Sequence, residues 1–297
     1  MKSYLSYLIV LIASTTNAIA MAAQEQKSTH HLSASSLKVA TIDWTQTETL
    51  LALGVNPIAA AQVIDYNSWV KAPVIPSDTF DLGLRTQPNL ERLSELKPDR
   101  IFISPMFQSL ESQLSRIAPV TNIALYKKSN ISWQALKDFT RTMASQTKTD
   151  KAAEKLITQS ETKLAQLAQK IPPNTPKLIM IQFMDARHVR VFGDNSMYKV
   201  AANEIGLDSA WLGKTNAWGF SLVGIDKLNN IKGQLVIIDP LPAGVEQHLQ
   251  NDQFWQYLVK QTGNPVLKIS PVWSFGAIPS TVRFATLLTN KLTKEAK

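Results

Sequence analysis

Residues 81–99 read Asp-Leu-Gly-Leu-Arg-Thr-Gln-Pro-Asn-Leu-Glu-Arg-Leu-Ser-Glu-Leu-Lys-Pro-Asp, and Arg100-Ile101-Phe102-Ile103-Ser104 follows directly. Pro88 suits the first turn of a helix, where its missing N–H is no loss, so a helix is expected over 88–96. Pro98 closes it, because the residue before a proline avoids helical geometry. The apolar run 100–104 then reads as a buried strand. Loop, helix and strand in this order are the repeating unit of a sheet with parallel strands. Arg85 lies on the loop ahead of the helix. Its planar guanidinium can serve an anionic ligand there, or close a surface salt bridge as most arginines do.

The same alternation extends outward. A strand is expected over 37–43, a helix over 45–53 stopped by Gly54, and a strand over 58–63. A turn-rich loop then carries Tyr66, Asn67, Ser68, Trp69, Pro73 and Pro76 to the arginine segment. Beyond it come a helix over 109–118 and a strand over 120–125. The pattern breaks at 149–171, where Leu156, Ile157, Ser160, Leu164, Leu167, Ala168 and Ile171 recur at helical spacing before Pro172-Pro173. Such a helix would be a rod roughly 35 Å long at about 1.5 Å per residue. It either joins two lobes or packs on one of them.

After the rod the alternation restarts. Strands are expected over 177–184 and 188–192, with Asp185-Ala186 at the turn, and a helix over 196–205 ending at Gly206. A short helix over 226–230, a strand over 235–239, a helix over 247–261, a strand over 265–269 and a last helix over 279–292 complete it. The expected fold is α/β, with two lobes of mainly parallel sheet joined by a single long helix. The chain divides into an export signal (1–23), a disordered leader (24–36), one lobe (37–148), the connecting helix (149–171) and a second lobe (172–297).

The signal is read from Lys2, the apolar run 4–13, and the small-residue cleavage sites Ala18-Ile19-Ala20 and Ala20-Met21-Ala22. Ser14 to Asn17 end the run well short of the roughly 20 residues a membrane span needs. There is no cysteine, which excludes disulfides, thiolate metal sites and lipidation of an N-terminal cysteine. A soluble periplasmic protein is therefore expected. Apolar residues make up 44% of the chain, enough to bury two ordinary cores. The net charge of +8 falls to about +7 without Lys2. With no basic run to grip nucleic acid, such a field suits small anionic ligands or a membrane surface.

Catalytic patterns are missing: no G-x-S-x-G, phosphate-binding loop, G-x-G-x-x-G or H-E-x-x-H occurs. Asp185 to His188 contains an acid and a base, but reads as a hairpin turn. The four histidines (His30, His31, His188 and His248) are scattered, so no protein metal shell is expected. Trp69, Trp211, Trp218 and Trp273 fall outside the periodic runs, as lining of a cleft or as plugs that anchor loops. Trp44, Trp133 and Trp255 read as core or interface packing.

Several landmarks occur in a fixed order: Tyr66-Asn67 with Trp69; Gly83-Leu84-Arg85-Thr86 with Pro88-Asn89-Leu90; Arg187-His188 with Val191-Phe192-Gly193 and Asn195-Ser196. They continue with Ala210-Trp211, Gly213, Thr215-Asn216 and Trp218-Gly219; Ile225-Asp226 with Leu228; and Val272-Trp273 with Gly276. In this order they resemble the periplasmic binding proteins that carry ferric hydroxamate siderophores to an ABC importer, over about residues 37–292. The resemblance implies a shallow ligand cleft between two lobes, an inner-membrane permease as partner, a monomer, and no enzymatic activity or cofactor. Iron would be bound only through the siderophore, which supplies six oxygens. Arg85 would donate to the hydroxamate oxygens, Trp69, Trp218 and Trp273 would wall the cleft, and Asn216 would add a polar contact. Phe107 and Phe275 stand where the family carries tyrosines, so two hydroxyls are lost. Arg190 stands where relatives often carry an apolar residue; it is a candidate second donor if it reaches the cleft, or it simply faces water. Glu111 and Asp226 match the carboxylates that dock on the permease, although either also suits a solvated helix start. The alternatives are the same fold binding a citrate-hydroxamate, a catecholate, haem or cobalamin, and, more distantly, a periplasmic hydrolase.

Overall fold

A computed structural model of the chain describes residues 37–126 and 131–295; the export signal and leader expected over 1–36 lie outside the described residues. Strand β1 (Val39–Thr41) is wholly buried. Asp43 caps the helix that follows, α1 (Trp44–Ala52): its Oδ1 accepts the N–H of Thr45 at 2.8 Å and of Gln46 at 3.2 Å. Those bonds satisfy donors that a helix start leaves orphaned. Strand β2 (Ala59–Ala60), helix α2 (Val63–Trp69) and strand β3 (Phe80–Asp81) come next. The loop expected around Tyr66 is thus helical. Tyr66 is fully buried and donates its hydroxyl to the Pro73 carbonyl at 2.9 Å, so tertiary packing overrides a weak local propensity.

Strands β4 (Gly83–Leu84) and β5 (Gln87–Pro88) form a small antiparallel hairpin with Arg85 and Thr86 at its tip. Pro88 therefore ends a strand rather than opening a helix. Helix α3 (Leu90–Leu96) starts after Asn89, whose Oδ1 accepts the Arg92 N–H at 2.9 Å. Strand β6 (Arg100–Ile103), a 3-10 turn (Pro105–Leu110), helix α4 (Glu111–Leu114) and strand β7 (Val120–Asn122) finish this half. Its five-stranded sheet has the order β3-β2-β1-β6-β7 and is parallel throughout.

Two helices lead into the second half. Helix α5 (Trp133–Thr147), unassigned from sequence, is capped by Ser132 and ends at Lys148 in a left-handed conformation. Helix α6 (Asp150–Ala168) buries Ala153, Ile157, Ser160, Leu164 and Leu167 along one stripe, the 3.6-residue period of a packed helix. The helix expected over 149–171 is thus present as α6, but it lies side by side with α5 and against the last helix of the chain rather than standing alone as a link between lobes. A polar rod in water would lose the burial that most helical stability depends on.

Strands β8 (Leu178–Phe183) and β9 (His188–Phe192), helix α7 (Met197–Glu204), strands β10 (Phe220–Gly224) and β11 (Gln234–Ile238), helices α8 (Val245–Asn251) and α9 (Gln253–Thr262), strand β12 (Leu267–Ile269) and helix α10 (Ile278–Glu295) follow. The sheet order is β10-β9-β8-β11-β12, with β9 antiparallel to both neighbours and β8, β11 and β12 parallel. The one helix expected over 247–261 is broken at Asp252, which turns extended and caps α9 through its Oδ1 on the Trp255 N–H at 2.7 Å.

The core is not divided in two. One buried cluster runs from Val39, Leu50 and Phe102 through Phe139, Ile157 and Tyr198 to Phe284, Leu288 and Leu292. Helices α1, α5, α6, α7 and α10 form this shared layer between the sheets. Each large side chain buried there contributes about 1.5–3 kcal/mol, so the layer resists separation of the halves. Among the described residues no helix is long and apolar enough to cross a membrane.

Candidate functional site

Parallel sheets present ligands at the carboxyl ends of their strands, where the chain leaves for the covering helices. The residues beyond β1, β2 and β6 and the loop beyond β12 meet in this way. They bound a cavity of about 550 Å³, lined by Trp44, Gln62, Asp65, Trp69, Arg85 and Met106 from the first half and by Arg190, Trp218, Phe220, Trp273 and Phe275 from the second.

Arg85 reaches this cavity from the hairpin tip. Its Nε–H donates to Gln62 Oε1 at 3.2 Å, and Gln62 Oε1 also accepts the Arg85 backbone N–H at 3.3 Å. The guanidinium carbon lies 3.9 Å from the ring centroid of Trp44 and 5.5 Å from that of Trp273, within cation–π range of both. Burial lowers its pKa, and the charges of Asp43 and Asp65 only partly offset this. It stays cationic, since a guanidinium is effectively always protonated in proteins. Among the described residues it has no ion pair, so its remaining N–H groups are open to the cavity.

The walls are a chain of rings that crosses the two halves. Trp44 meets Trp273 at 4.9 Å, Trp273 meets Phe275 at 5.2 Å, Phe275 meets Trp218 at 5.4 Å and Trp218 meets Tyr126 at 5.6 Å between centroids. Both ends of the chain, Trp44 and Tyr126, belong to the first half. The first three pairs are edge-to-face and the last is tilted; edge-to-face pairs add about 0.5–1.5 kcal/mol each beyond their burial.

Helix α1 holds the loop that brings in the central rings. Trp273 Nε1–H donates to Thr45 Oγ1 at 3.1 Å, and the Thr45 hydroxyl donates to the Phe275 carbonyl at 2.9 Å. One turn later Glu48, fully buried, accepts the Ala277 N–H through Oε1 at 2.5 Å and the Ser280 hydroxyl through Oε2. Burial pushes the Glu48 carboxyl up to about 8, against the opposing pull of Ser280 and Ala277. Gly276 leaves room for this approach: a Cβ there would stand 2.2 Å from Ser280 Cβ and 2.8 Å from Glu48 Oε1.

Arg190 enters from the middle of β9. Alternation along the strand sends Val189 and Val191 into one core cluster and Arg190 to the opposite face. Its guanidinium carbon lies 4.8 Å from the Phe220 centroid and 6.0 Å from that of Phe275.

Of the candidate binding residues, Trp69, Arg85, Arg190, Trp218, Trp273 and Phe275 line the one cavity. Phe107 does not. It is 2% exposed and packs in the first half's core with Leu93, Ile103 and Leu114. The chain beyond β6 winds into a 3-10 turn, and its tight winding aims neighbouring side chains in different directions. Met106 faces the cleft at 55% exposure, and Phe107, lacking a hydroxyl, turns into the core. Asn216 is likewise not a lining residue. Its Oδ1 accepts the N–H groups of Trp218 at 2.9 Å and Phe220 at 3.3 Å, so it folds the loop that presents Trp218. Trp211 donates its Nε1–H to Ser221 at 3.1 Å and lies over Gly213, which makes it a loop anchor.

Asp185 and His188 form the expected hairpin turn. Asp185 Oδ1 accepts the backbone N–H of Arg187 at 2.7 Å and of His188 at 2.8 Å. Those bonds, the Arg187 one first, and the nearby imidazole hold the Asp185 carboxyl low, unlike a poised general base. Glu111 opens α4 and accepts from Asn122 Nδ2–H at 3.0 Å, and Asp226 sits exposed at a 3-10 turn beside Lys227 at 3.5 Å. Among the described residues no group of three His, Cys, Asp or Glu is arranged to hold a metal ion.

Trp44, Gln62, Asp65, Met106 and Phe220 line the cavity without having been singled out from sequence. Trp44 carries the clearest overlooked signal: an indole directly after the N-cap of α1 stands at a strand's carboxyl end, where parallel sheets bind ligands.

Residues 39–264 match the sequence model of the periplasmic binding protein family. The iron(3+)-hydroxamate-binding protein FhuD of Escherichia coli (strain K12) is 31% identical over 257 residues, 86% of each chain. The crystal structure of FhuD from Vibrio cholerae with Fe3+–Desferal bound superposes with a TM-score of 0.81 at 27% identity, over 87% of this chain and 98% of that one. The triscatecholate siderophore binding protein FeuA from Bacillus subtilis superposes with a TM-score of 0.69 at 19% identity, over 90% and 95%. That last likeness is one of fold alone.

Proposed function

The chain belongs to the periplasmic binding protein family, a family that binds substrates, and from that premise we propose that it captures ferric hydroxamate siderophores and delivers them to an inner-membrane ABC permease. The observation that carries this reading is Arg85: a guanidinium free of carboxylate partners among the described residues, held on Trp44 and beside Trp273 at the mouth of a ring-lined cleft. Hydroxamate oxygens bound to iron(III) keep partial negative charge, and charge-assisted donors are the strong match for them. The siderophore already fills the coordination sphere of the iron, so the protein need supply only shape, aromatic surface and donors. Similarity to the E. coli hydroxamate-binding protein over most of both chains supports the same ligand class.

In this reading the chain is exported, loses residues 1–23 and works as a soluble periplasmic monomer with lobes over 37–148 and 172–297. Arg85 grips the iron–hydroxamate centre, Trp69, Trp218, Trp273 and Phe275 wall it, and Asn216 serves by fixing the Trp218 loop. Glu111 and Asp226 meet basic residues of the permease. No bond of the ligand is made or broken. A catecholate complex carries more negative charge than two lining arginines beside Asp65 would suit, which favours the hydroxamate.

Tryptophan fluorescence tests the reading, since three indoles stand at the cleft besides Trp44. Iron-loaded ferrichrome or desferrioxamine B should quench the emission saturably, and the iron-free forms should bind far more weakly. Recovery of unaltered ligand separates capture from hydrolysis. Failure of every ferric hydroxamate to bind would overturn the proposal.

A further inference from the structure

Arg190 is the least explained residue of the cleft. Its neighbours across the sheet are Gln182 on β8 and Leu222 on β10, and an apolar side chain would complete this wall without an isolated charge. Instead a half-buried guanidinium lies against Phe220 and near Phe275. Burial lowers its pKa, and among the described residues no carboxylate acts on it; the Tyr198 phenol, buried and neutral, supplies no counter-charge. Asp65, the acidic group in the cavity lining, is at the other arginine: its charge acts on Arg85, and its Oδ2 accepts from Gln62 Nε2–H at 2.8 Å. A cation removed from water without a counter-charge is unfavourable until something anionic arrives.

We propose that the captured chelate carries a free carboxylate, which Arg190 receives while Arg85 holds the iron–hydroxamate centre. This rests on the receptor reading above and narrows its ligand class to anionic hydroxamates. Two guanidiniums enter one cavity from opposite halves, so a ligand with an iron centre and a separate acidic arm spans both. A carboxylate suits the position because the guanidinium fork binds its two oxygens in one plane. Phe220 and Phe275 keep that fork in place and partly dry, which strengthens the pair.

Two derivatives of iron-loaded desferrioxamine B isolate the charge from the iron centre: the terminal amine acetylated, giving a neutral arm, or succinylated, giving an anionic one. The measured quantity is the ratio of their dissociation constants by fluorescence quenching. The wild-type protein is expected to prefer the succinyl form by roughly tenfold, the effect of one charge-assisted contact. In Arg190→Leu the ratio should collapse towards one, and Arg190→Lys should restore part of it. Arg190→Gln, which keeps the polar bulk, supplies the comparison if the leucine variant does not fold. Equal wild-type affinities, or an undiminished ratio in the Leu or Gln variant, would remove the carboxylate arm and leave the receptor reading standing. If neither derivative binds while iron-loaded ferrichrome does, the carboxylate arm falls alone; if none of the three binds, the receptor reading fails and this inference falls with it.

Discussion

The charge on Arg85 is held by rings rather than by acids. Trp44 at 3.9 Å and Trp273 at 5.5 Å support the guanidinium, and Gln62 fixes its Nε–H. A salt bridge would have neutralised the donor; aromatic faces orient it and leave it cationic. Arg85→Ala should therefore weaken ferric hydroxamate binding by about 2–4 kcal/mol, the range for truncating one partner of a desolvated charged contact. Trp218→Ala should lose less, about 1–2 kcal/mol, as a wall residue rather than a central anchor. Isothermal titration calorimetry of the two variants checks the ordering, and an Arg85→Ala loss smaller than that of Trp218→Ala would contradict it. Unusual side chains made this part of the site readable from sequence: Arg85, Trp69, Trp218 and Trp273 break the periodicity around them. Trp44 was hidden because it reads as core packing, and α1 is in fact buried on all sides from Trp44 to Leu50. Phe107 and Met106 are adjacent, and sequence alone does not fix the phase of the 3-10 turn that exchanges their environments.

Among elements, α1 and the loop after β12 form the joint on which cleft geometry depends. Thr45 and Glu48 lie three residues apart, hence on one helix face, and both bind the 273–280 segment of the other half. A neutral Glu48 suits this buried place, since one oxygen accepts from the Ala277 N–H while the other shares a proton with the Ser280 hydroxyl. Its folded-state pKa of about 8 lies above the unfolded 4.5. Below 4.5 both states are protonated and the full stabilisation is present. As pH rises the unfolded chain ionises first, and stability is lost until the folded carboxyl titrates near 8. The thermal midpoint should therefore decline between pH 5 and about pH 8, and Glu48→Gln, permanently neutral, should flatten that decline. A parallel pH profile in the variant would show that Glu48 does not control it. Gly276→Ala drives a methyl into Ser280 and should lower both stability and affinity. The long, strongly periodic elements here were legible: α1, α6, α7, β8, β9 and α10 lie within a few residues of expectation. Helix α5 was missed although Ser132 caps a buried stripe of Leu136, Phe139, Met143 and Ala144. Strand β10 had no signal to find, because its residues are all partly or fully exposed and lack alternation. The break between α8 and α9 turned on the backbone of one aspartate.

At the scale of the molecule, the shared helical core decides how the protein can signal that it is loaded. A cluster continuous from Val39 to Leu292 cannot open about a hinge without exposing apolar surface, at about 25 cal/mol per Å². Small adjustments of the cleft are therefore expected on binding rather than wide domain closure. A permease would then recognise a nearly fixed surface, and surface carboxylates on both halves are the features suited to that. Glu111 is oriented by Asn122, whereas Asp226 is open to solvent beside Lys227. Single exposed ion pairs contribute only about 0–1 kcal/mol, so one substitution should have a weak effect. Two pairs on opposite halves would act together and also fix orientation on a permease. The double variant Glu111→Gln/Asp226→Asn should keep its siderophore affinity within about twofold, because neither residue lines the cleft, yet lower uptake of iron-55-labelled siderophore by roughly tenfold. Each single variant should lie between the two. Normal uptake by the double variant would exclude these carboxylates from docking, and a matching fall in affinity would assign the defect to the cleft instead.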